Sequence, residues 1–146
     1  MQLDVVTDAL LYAAVFIMVY KLWKKIRKHF VRPVVYVVED NEHDIMLLKI
    51  HTGLEKYDVR YFRTLDNLAF QMAIKKPSAV LIDYYLPNSQ TGDKLFKFCK
   101  RNNIEPLMIT AYDGPIKDID PKYIVKKEAG VNFYKQIDDF LLKVVG

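Results

Sequence analysis

Val34-Val35-Tyr36-Val37-Val38-Glu39-Asp40 decides the fold: five β-branched or aromatic residues run without alternation into two acids. Three more runs end in the same way. Ala79-Val80-Leu81-Ile82 leads to Asp83, Pro106-Leu107-Met108-Ile109 to Thr110, and Tyr123-Ile124-Val125 to Lys126. Short, unalternated apolar runs are what strands buried on both faces of a parallel sheet look like. Each polar residue then stands at a strand's carboxyl end, the edge where open α/β sheets bind ligands. An acidic pair, a lone acid, a hydroxyl and an amine are therefore expected in one crevice.

Between these runs the pattern alternates. Strands are expected at about 34–38, 58–62, 79–83, 106–110 and 122–126, and helices at 42–55, 65–75, 91–102 and 132–145. An irregular piece fills the stretch before the last strand. Alternating strands and helices call for an α/β fold, a parallel sheet with helices on both faces. Ile45, Leu47, Leu48 and Leu54 give the first of these helices an apolar face, and Pro77 closes the second. Ile137, Phe140, Leu141 and Val144 recur at helical spacing in the last.

Ahead of this domain lies a different kind of sequence. Ala9 to Tyr20 is uncharged, and residues 21–32 hold six basic residues and no acid. From Pro33 onward the remaining 16 basic and 16 acidic residues balance, so the net charge of +4 belongs to the stem. The division falls at Arg32-Pro33, giving a segment 1–32 and a domain 33–146. A neutral domain gives no reason to expect nucleic acid. Val5 to Trp23 approaches the roughly 20 apolar residues that span a bilayer core. The start is acidic (Asp4, Asp8) and the cations begin at Lys21, with Asp8 and Lys21 toward the two interfaces, so a single-pass segment with its N-terminus outside and the domain cytoplasmic is expected. A buried or partner-binding helix and an in-plane anchor with a basic face are the alternatives. The single Cys99 excludes an internal disulfide and carries no catalytic meaning. His43 and His51 have no third ligand in view and read as surface or packing residues.

The stretches Val38-Glu39-Asp40-Asn41, Leu81-Ile82-Asp83-Tyr84-Tyr85-Leu86-Pro87 leading to Gly92, Thr110-Ala111 and Tyr123-Ile124-Val125-Lys126 resemble, in order, the motifs of bacterial response-regulator receiver (CheY-like) domains. The resemblance covers about 34–146. It implies a flavodoxin-like, doubly wound, five-stranded sheet of order 2-1-3-4-5 and phosphorylation of Asp83. It also implies magnesium held by Glu39, Asp40, Asp83 and the backbone carbonyl of Tyr85, with Thr110 and Lys126 on the phosphoryl oxygens and Thr110 and Tyr123 as the switch pair. The residue chemistry agrees. A carboxylate can act as nucleophile toward a phosphoryl donor, three neighbouring acids need a cation, and magnesium prefers such oxygen ligands. Taken singly, Glu39 and Asp40 could cap the following helix, Asp83 could belong to turn chemistry, and Lys126, beside Lys127, could be a solvated charge.

The chain departs from the family pattern at three points. One extra residue separates Pro87 from Gly92, Lys127 replaces the usual proline after the lysine, and Tyr112 to Pro121 is too short and too rich in Gly114, Pro115 and Pro121 for the family's fourth helix. That stretch is expected to be loop or at most one turn. The resulting expectation is a membrane-tethered, stand-alone receiver of a two-component or phosphorelay system in the bacterial inner membrane. It would be phosphorylated by a histidine kinase or phosphotransfer protein and would signal through a protein partner, without being an enzyme in its own right. A pseudo-receiver serving as a scaffold subunit is the alternative. An aspartyl-phosphate hydrolase is disfavoured because Tyr85 stands where such enzymes carry a second acid.

Overall fold

The computed structural model describes residues 2–128 and 130–145, with the side chains of residues 2–8 and 27–30 outside the described set. Two compact units divide at Arg32 and Pro33, where the charge distribution divides the sequence.

The first unit is a single helix, α1 (Gln2–Phe30). Leu10, Leu11, Tyr12, Phe16, Ile17, Met18 and Val19 are all exposed. At 100° per residue they cover every side of the helix, so the apolar surface is not confined to one stripe. Among the described residues no helix is long and apolar enough to cross a membrane. The expected span runs from Val5 to Trp23, with an uncharged core at Ala9–Tyr20. The first part of that expectation, residues 5–8, lies outside the described side chains.

The second unit is built on β1 (Val34–Val38), β2 (Asp58–Phe62), β3 (Ala79–Asp83), β6 (Glu105–Thr110) and β7 (Ile124–Lys126). All four pairings are parallel and the order is β2-β1-β3-β6-β7, the expected 2-1-3-4-5 when only the strands of this sheet are counted. Every residue of β1 and β3 is buried, which explains their lack of alternation: both faces are covered. One face carries α3 (Leu68–Ile74) and α4 (Asp93–Arg101), the other α2 (Glu42–His51) and α5 (Val131–Val145). Tyr36, Val38, Val80, Ile82 and Met108 fill the first side with Leu68, Met72, Phe96 and Cys99. Val35, Val37, Leu81, Leu107, Ile109 and Val125 fill the second with Leu48, Phe133, Ile137 and Leu141. The strand period of two thus sorts even-numbered positions to one core and odd-numbered positions to the other.

Local chemistry sets the element ends. The Asn41 side chain caps α2 by accepting from the His43 N–H at 2.9 Å. That helix stops at Thr52, short of the expected Glu55, with the Thr52 hydroxyl donating to the Leu48 carbonyl, and a 3-10 turn over Leu54–Lys56 follows. Asn67, at φ +58°, delays α3 to Leu68. The Tyr36 hydroxyl, inside the core, donates toward the Gln71 and Lys75 carbonyls at the end of α3, giving a buried phenol its partner and the helix end its donor.

Two loops differ from a plain alternation of strand and helix. After Asp83 a small hairpin, β4 (Tyr85–Leu86) and β5 (Gln90–Thr91), turns through Asn88 and Ser89 at φ +59° and +57°. The Gln90 N–H closes that turn onto the Pro87 carbonyl at 3.3 Å, so the extra residue is absorbed in a tight turn. After Thr110, residues 111–120 hold no helix, and only a 3-10 turn, Pro121–Tyr123, precedes β7. The expected strand at 122–126 shortens to Ile124–Lys126 because Asp120 accepts from the Lys122 N–H and Pro121 opens that turn. The loop is nevertheless packed: Ile116 and Ile119 are buried in the α3/α4-side core.

Candidate active site at the carboxyl edge of the sheet

Parallel pairing brings the strand ends together. Val38 pairs with Ile82, and Asp83 with Ile109, so Glu39, Asp83 and Thr110 follow one another across the centre of the sheet. Glu39 and Thr110 are fully buried and Asp83 is 7 % exposed, whereas Asp40 faces solvent. Glu39, Asp40 and Asp83 each offer a carboxylate oxygen, and these oxygens lie within 4.8 Å of one another. Hard oxygen donors at this separation, two buried and one at the rim, suit magnesium with part of its water shell retained. Tyr85, whose carbonyl the sequence reading adds to this set, sits two residues beyond Asp83 at the start of the hairpin.

Gly92 allows the hairpin to close over Asp83. Its N–H donates to the Tyr84 carbonyl at 2.9 Å. A Cβ there would fall within the van der Waals envelope of the Asp83 carbonyl oxygen and 2.6 Å from Ile82 Cγ2, so only glycine fits this approach.

The cation beside the acids is Lys127. Its Nζ stands 2.6 Å from Glu39 Oε2, 2.8 Å from Asp44 Oδ2 and 3.3 Å from Asp83 Oδ1. Lys126, the lysine expected there, instead donates to the Tyr112 carbonyl. Strand alternation is the reason: Lys127 shares the odd-numbered side with Glu39 and Asp83, while Lys126 shares the even-numbered side with Thr110. The Lys127 N–H also donates to the Thr110 carbonyl at 2.8 Å, a bond that the family's proline could not make. Asp44, in the first turn of α2, is a second site residue that the motifs did not indicate.

Burial governs the electrostatics. It pushes Glu39 up to about 7, against the hydrogen bond and charge of Lys127, with the Asp83 charge adding to the rise. Asp83 is raised for the same first reason, again opposed by Lys127. Burial alone would lower Lys127, but hydrogen bonds to Asp44 and Glu39 outweigh it and hold the ammonium charged. Burial raises the two acids, and the surrounding carboxylates raise the lysine.

Thr110 and Tyr123, the residues expected as a switch pair, lie at the end of β6 and in the turn that leads into β7. Thr110 Oγ1 accepts from the Tyr112 N–H at 3.0 Å. Tyr123 is half-buried, its ring edge-on to Phe96 at 5.7 Å and its hydroxyl accepting from Lys100 at 3.3 Å. Above the site, Tyr84, Tyr85 and Tyr112 form a cluster with ring centroids 4.9–5.5 Å apart. Cys99 is buried and its thiol is pushed up to about 12, which leaves it unreactive.

No protein-family model and no curated protein matches the sequence. Solved structures do match in shape. The receiver domain of PhyR from Erythrobacter litoralis superposes with a TM-score of 0.62 at 21 % identity, over 81 % of this chain and 96 % of that one. The signal receiver domain of a putative LuxO repressor protein from Vibrio parahaemolyticus gives 0.62 at 21 % identity, over 77 % and 92 %. The response regulator PhyR from Brucella abortus gives 0.57 at 21 % identity over 77 % of this chain, which spans only 50 % of that protein. At these identities the likeness concerns the fold. From β1 to α5 the chain has the fold of response-regulator receiver domains, with an acidic cluster at the sheet edge where ligands of such folds bind.

Proposed function

We propose that this protein is a receiver that accepts a phosphoryl group on Asp83 from a histidine kinase or phosphotransfer protein and signals through a protein partner. The observation that carries this reading is the meeting of Glu39, Asp40 and Asp83 within 4.8 Å at the carboxyl edge of a receiver-type sheet. An Asp83 carboxylate oxygen attacks phosphorus, the bond to the donor's leaving group breaks with its electron pair, and an aspartyl phosphate forms. Bound magnesium would supply charge neutralisation at the acids. Glu39 and Asp40 would hold that ion, Thr110 would donate its hydroxyl to a phosphoryl oxygen, and the Lys127 ammonium is near enough to Asp83 to balance another. Among the structural neighbours, PhyR of Bartonella quintana is described as an anti-anti-sigma factor, in keeping with output by protein contact.

The test is intact mass after incubation with acetyl phosphate and magnesium. Addition of one phosphoryl group, lost in Asp83→Asn, is the expected result. A second reading is a pseudo-receiver that keeps the fold as a scaffold and takes no phosphate. The Lys127 ion pairs favour it, since they already provide the acids with a cation. An unchanged mass would select it.

Attachment to the cytoplasmic face of the inner membrane through α1 belongs to the same proposal. It is supported by apolar side chains on all sides of that helix and by Lys21, Lys24 and Lys25 following them, where anionic lipid would be met. Full-length protein should pellet with membranes and resist both salt and carbonate. Release by salt alone would mean a peripheral, electrostatic contact.

A further inference from the structure

The acids of the site carry more negative charge than a single lysine balances. Glu39, Asp40, Asp44 and Asp83 converge there, and Lys127 Nζ reaches three of them, at 2.6, 2.8 and 3.3 Å. Two of those three, Glu39 and Asp83, also belong to the trio able to hold a metal ion. Lys127 is therefore not a bystander beside the cation site. Its ammonium stands on two of the three donors that a divalent ion would use. Asp44 lies outside the trio and anchors the same ammonium from α2. A cavity of about 210 Å³ between α2 and α5 is lined by Lys127 itself with Glu39, Asp44, Glu128, Leu48 and Phe133, so the side chain has space to move from Glu39 and Asp83 toward Asp44 and Glu128.

We propose that Lys127 is a tethered counter-ion that competes with a divalent cation for Glu39 and Asp83, so that ion binding requires the ammonium to leave those two carboxylates. The lysine offsets part of the charge of the buried acids when no ion is bound, and it sets a threshold on the ion concentration at which the site loads. Asp44 gives the displaced ammonium a partner at the edge of the cavity, so displacement does not strand a buried charge. Lys126 takes no part, because its Nζ is engaged with the Tyr112 carbonyl on the other side of the sheet. The inference rests on reading this edge as a cation-assisted site, yet it concerns ion binding alone and is scored without any phosphoryl transfer.

The experiment is magnesium chloride titration of the full chain by calorimetry, for wild type, Lys127→Met and Lys127→Arg, with thermal melts at zero and saturating ion. Removing a competing charge should tighten magnesium binding at least about fivefold, the lower end of coupling between linked sites. The Arg variant, which keeps the charge, should bind no tighter than wild type. Magnesium should also raise the melting temperature more in Lys127→Met than in wild type. Equal or weaker binding by the Met variant overturns the proposal. Should that variant fail to fold, wild type labelled at its lysine side chains decides. Magnesium should shift the Lys127 side-chain resonances and leave those of Lys126 in place, and Lys127 resonances unmoved with ion bound would overturn the proposal. Failure of Asp83 to take phosphate, with this exclusion intact, would count against the receiver reading and not against the competition.

Discussion

The loop after β3 and the loop after β6 leave adjacent strands at the same edge, yet they have diverged in opposite ways. The first carries one residue more than receivers usually have and remains tightly built. Asn88 and Ser89 take positive φ, Gln90 closes the turn, and Gly92 lets the hairpin press on the Asp83 backbone. The second is shorter than the family pattern and has no helix. It is held by two buried isoleucines, by the Lys97–Asp118 ion pair at 3.0 Å and by the contact of Lys126 with the Tyr112 carbonyl. Strand-end chemistry is fixed by sheet register, so the acids stay in place while an element on a sheet face can be removed and its core contribution replaced by Ile116 and Ile119.

Substitution of the glycine in each loop should break the comparison most visibly. Gly92→Ala would force backbone apart beside Asp83 and should lower stability by about 3 kcal/mol or more. Gly114→Ala would meet the Tyr112 phenol, the far end of a side chain that can move, and should cost about 1 kcal/mol or less. Urea unfolding of both variants measures the contrast, and equal losses would show that the second loop is as rigid as the first.

The acid side should also reveal itself in pH dependence. Glu39 holds its proton up to about 7 when folded, against 4.5 as its ordinary value. Between those values the folded state is the better proton binder, so this contribution is full below about 4.5 and is lost as pH rises through about 7. At one pKa unit per roughly 1.4 kcal/mol the change approaches about 3 kcal/mol. Without divalent ion, stability from pH 5 to 8 should therefore fall more steeply in wild type than in Glu39→Gln. Asp83 shifts in the same direction and should steepen the fall.

Smaller effects sharpen the other loop. Ile119→Ala should cost about 2 kcal/mol, the lower end for a large aliphatic truncated in a core, since Ile119 is buried among residues of the α3/α4-side cluster. Lys126→Ala should cost no more than about 1 kcal/mol, as for one surface-accessible hydrogen bond. It should speed amide exchange in 111–120 and leave ion binding at the acids unchanged.

These contrasts parallel what the sequence makes readable. Four of the five strand positions follow from apolar runs ending in polar residues, the strand order follows only from the resemblance to receiver domains, and the absence of a helix after Thr110 follows from Gly114, Pro115 and Pro121. Strand parity does not follow. With both faces of β1 and β3 buried there is no alternation from which to read orientation, so the motif resemblance points to Lys126 whereas the register sets Lys127 beside Glu39 and Asp83. Counting alternate residues back from Lys127 through Val125 would have been the one usable signal. Asp44 reads as an ordinary first-turn helix acid. The β4–β5 hairpin escapes because Tyr85-Leu86 and Gln90-Thr91 are too short to form a pattern, and the late start of α3 depends on a left-handed Asn67 that no periodicity announces.

The most direct test of a phosphoacceptor coupled to a rebuilt loop is amide hydrogen exchange over the whole domain, with and without beryllofluoride and magnesium, in wild type and Asp83→Asn. The expected result is protection gained in wild type at 83–92 and at 111–123, as Thr110 engages the bound group and draws the following loop into order, with no change in the variant. Exchange unaltered in both segments of wild type would contradict a receiver function at Asp83, and protection confined to 83–92 would contradict output through the loop after β6.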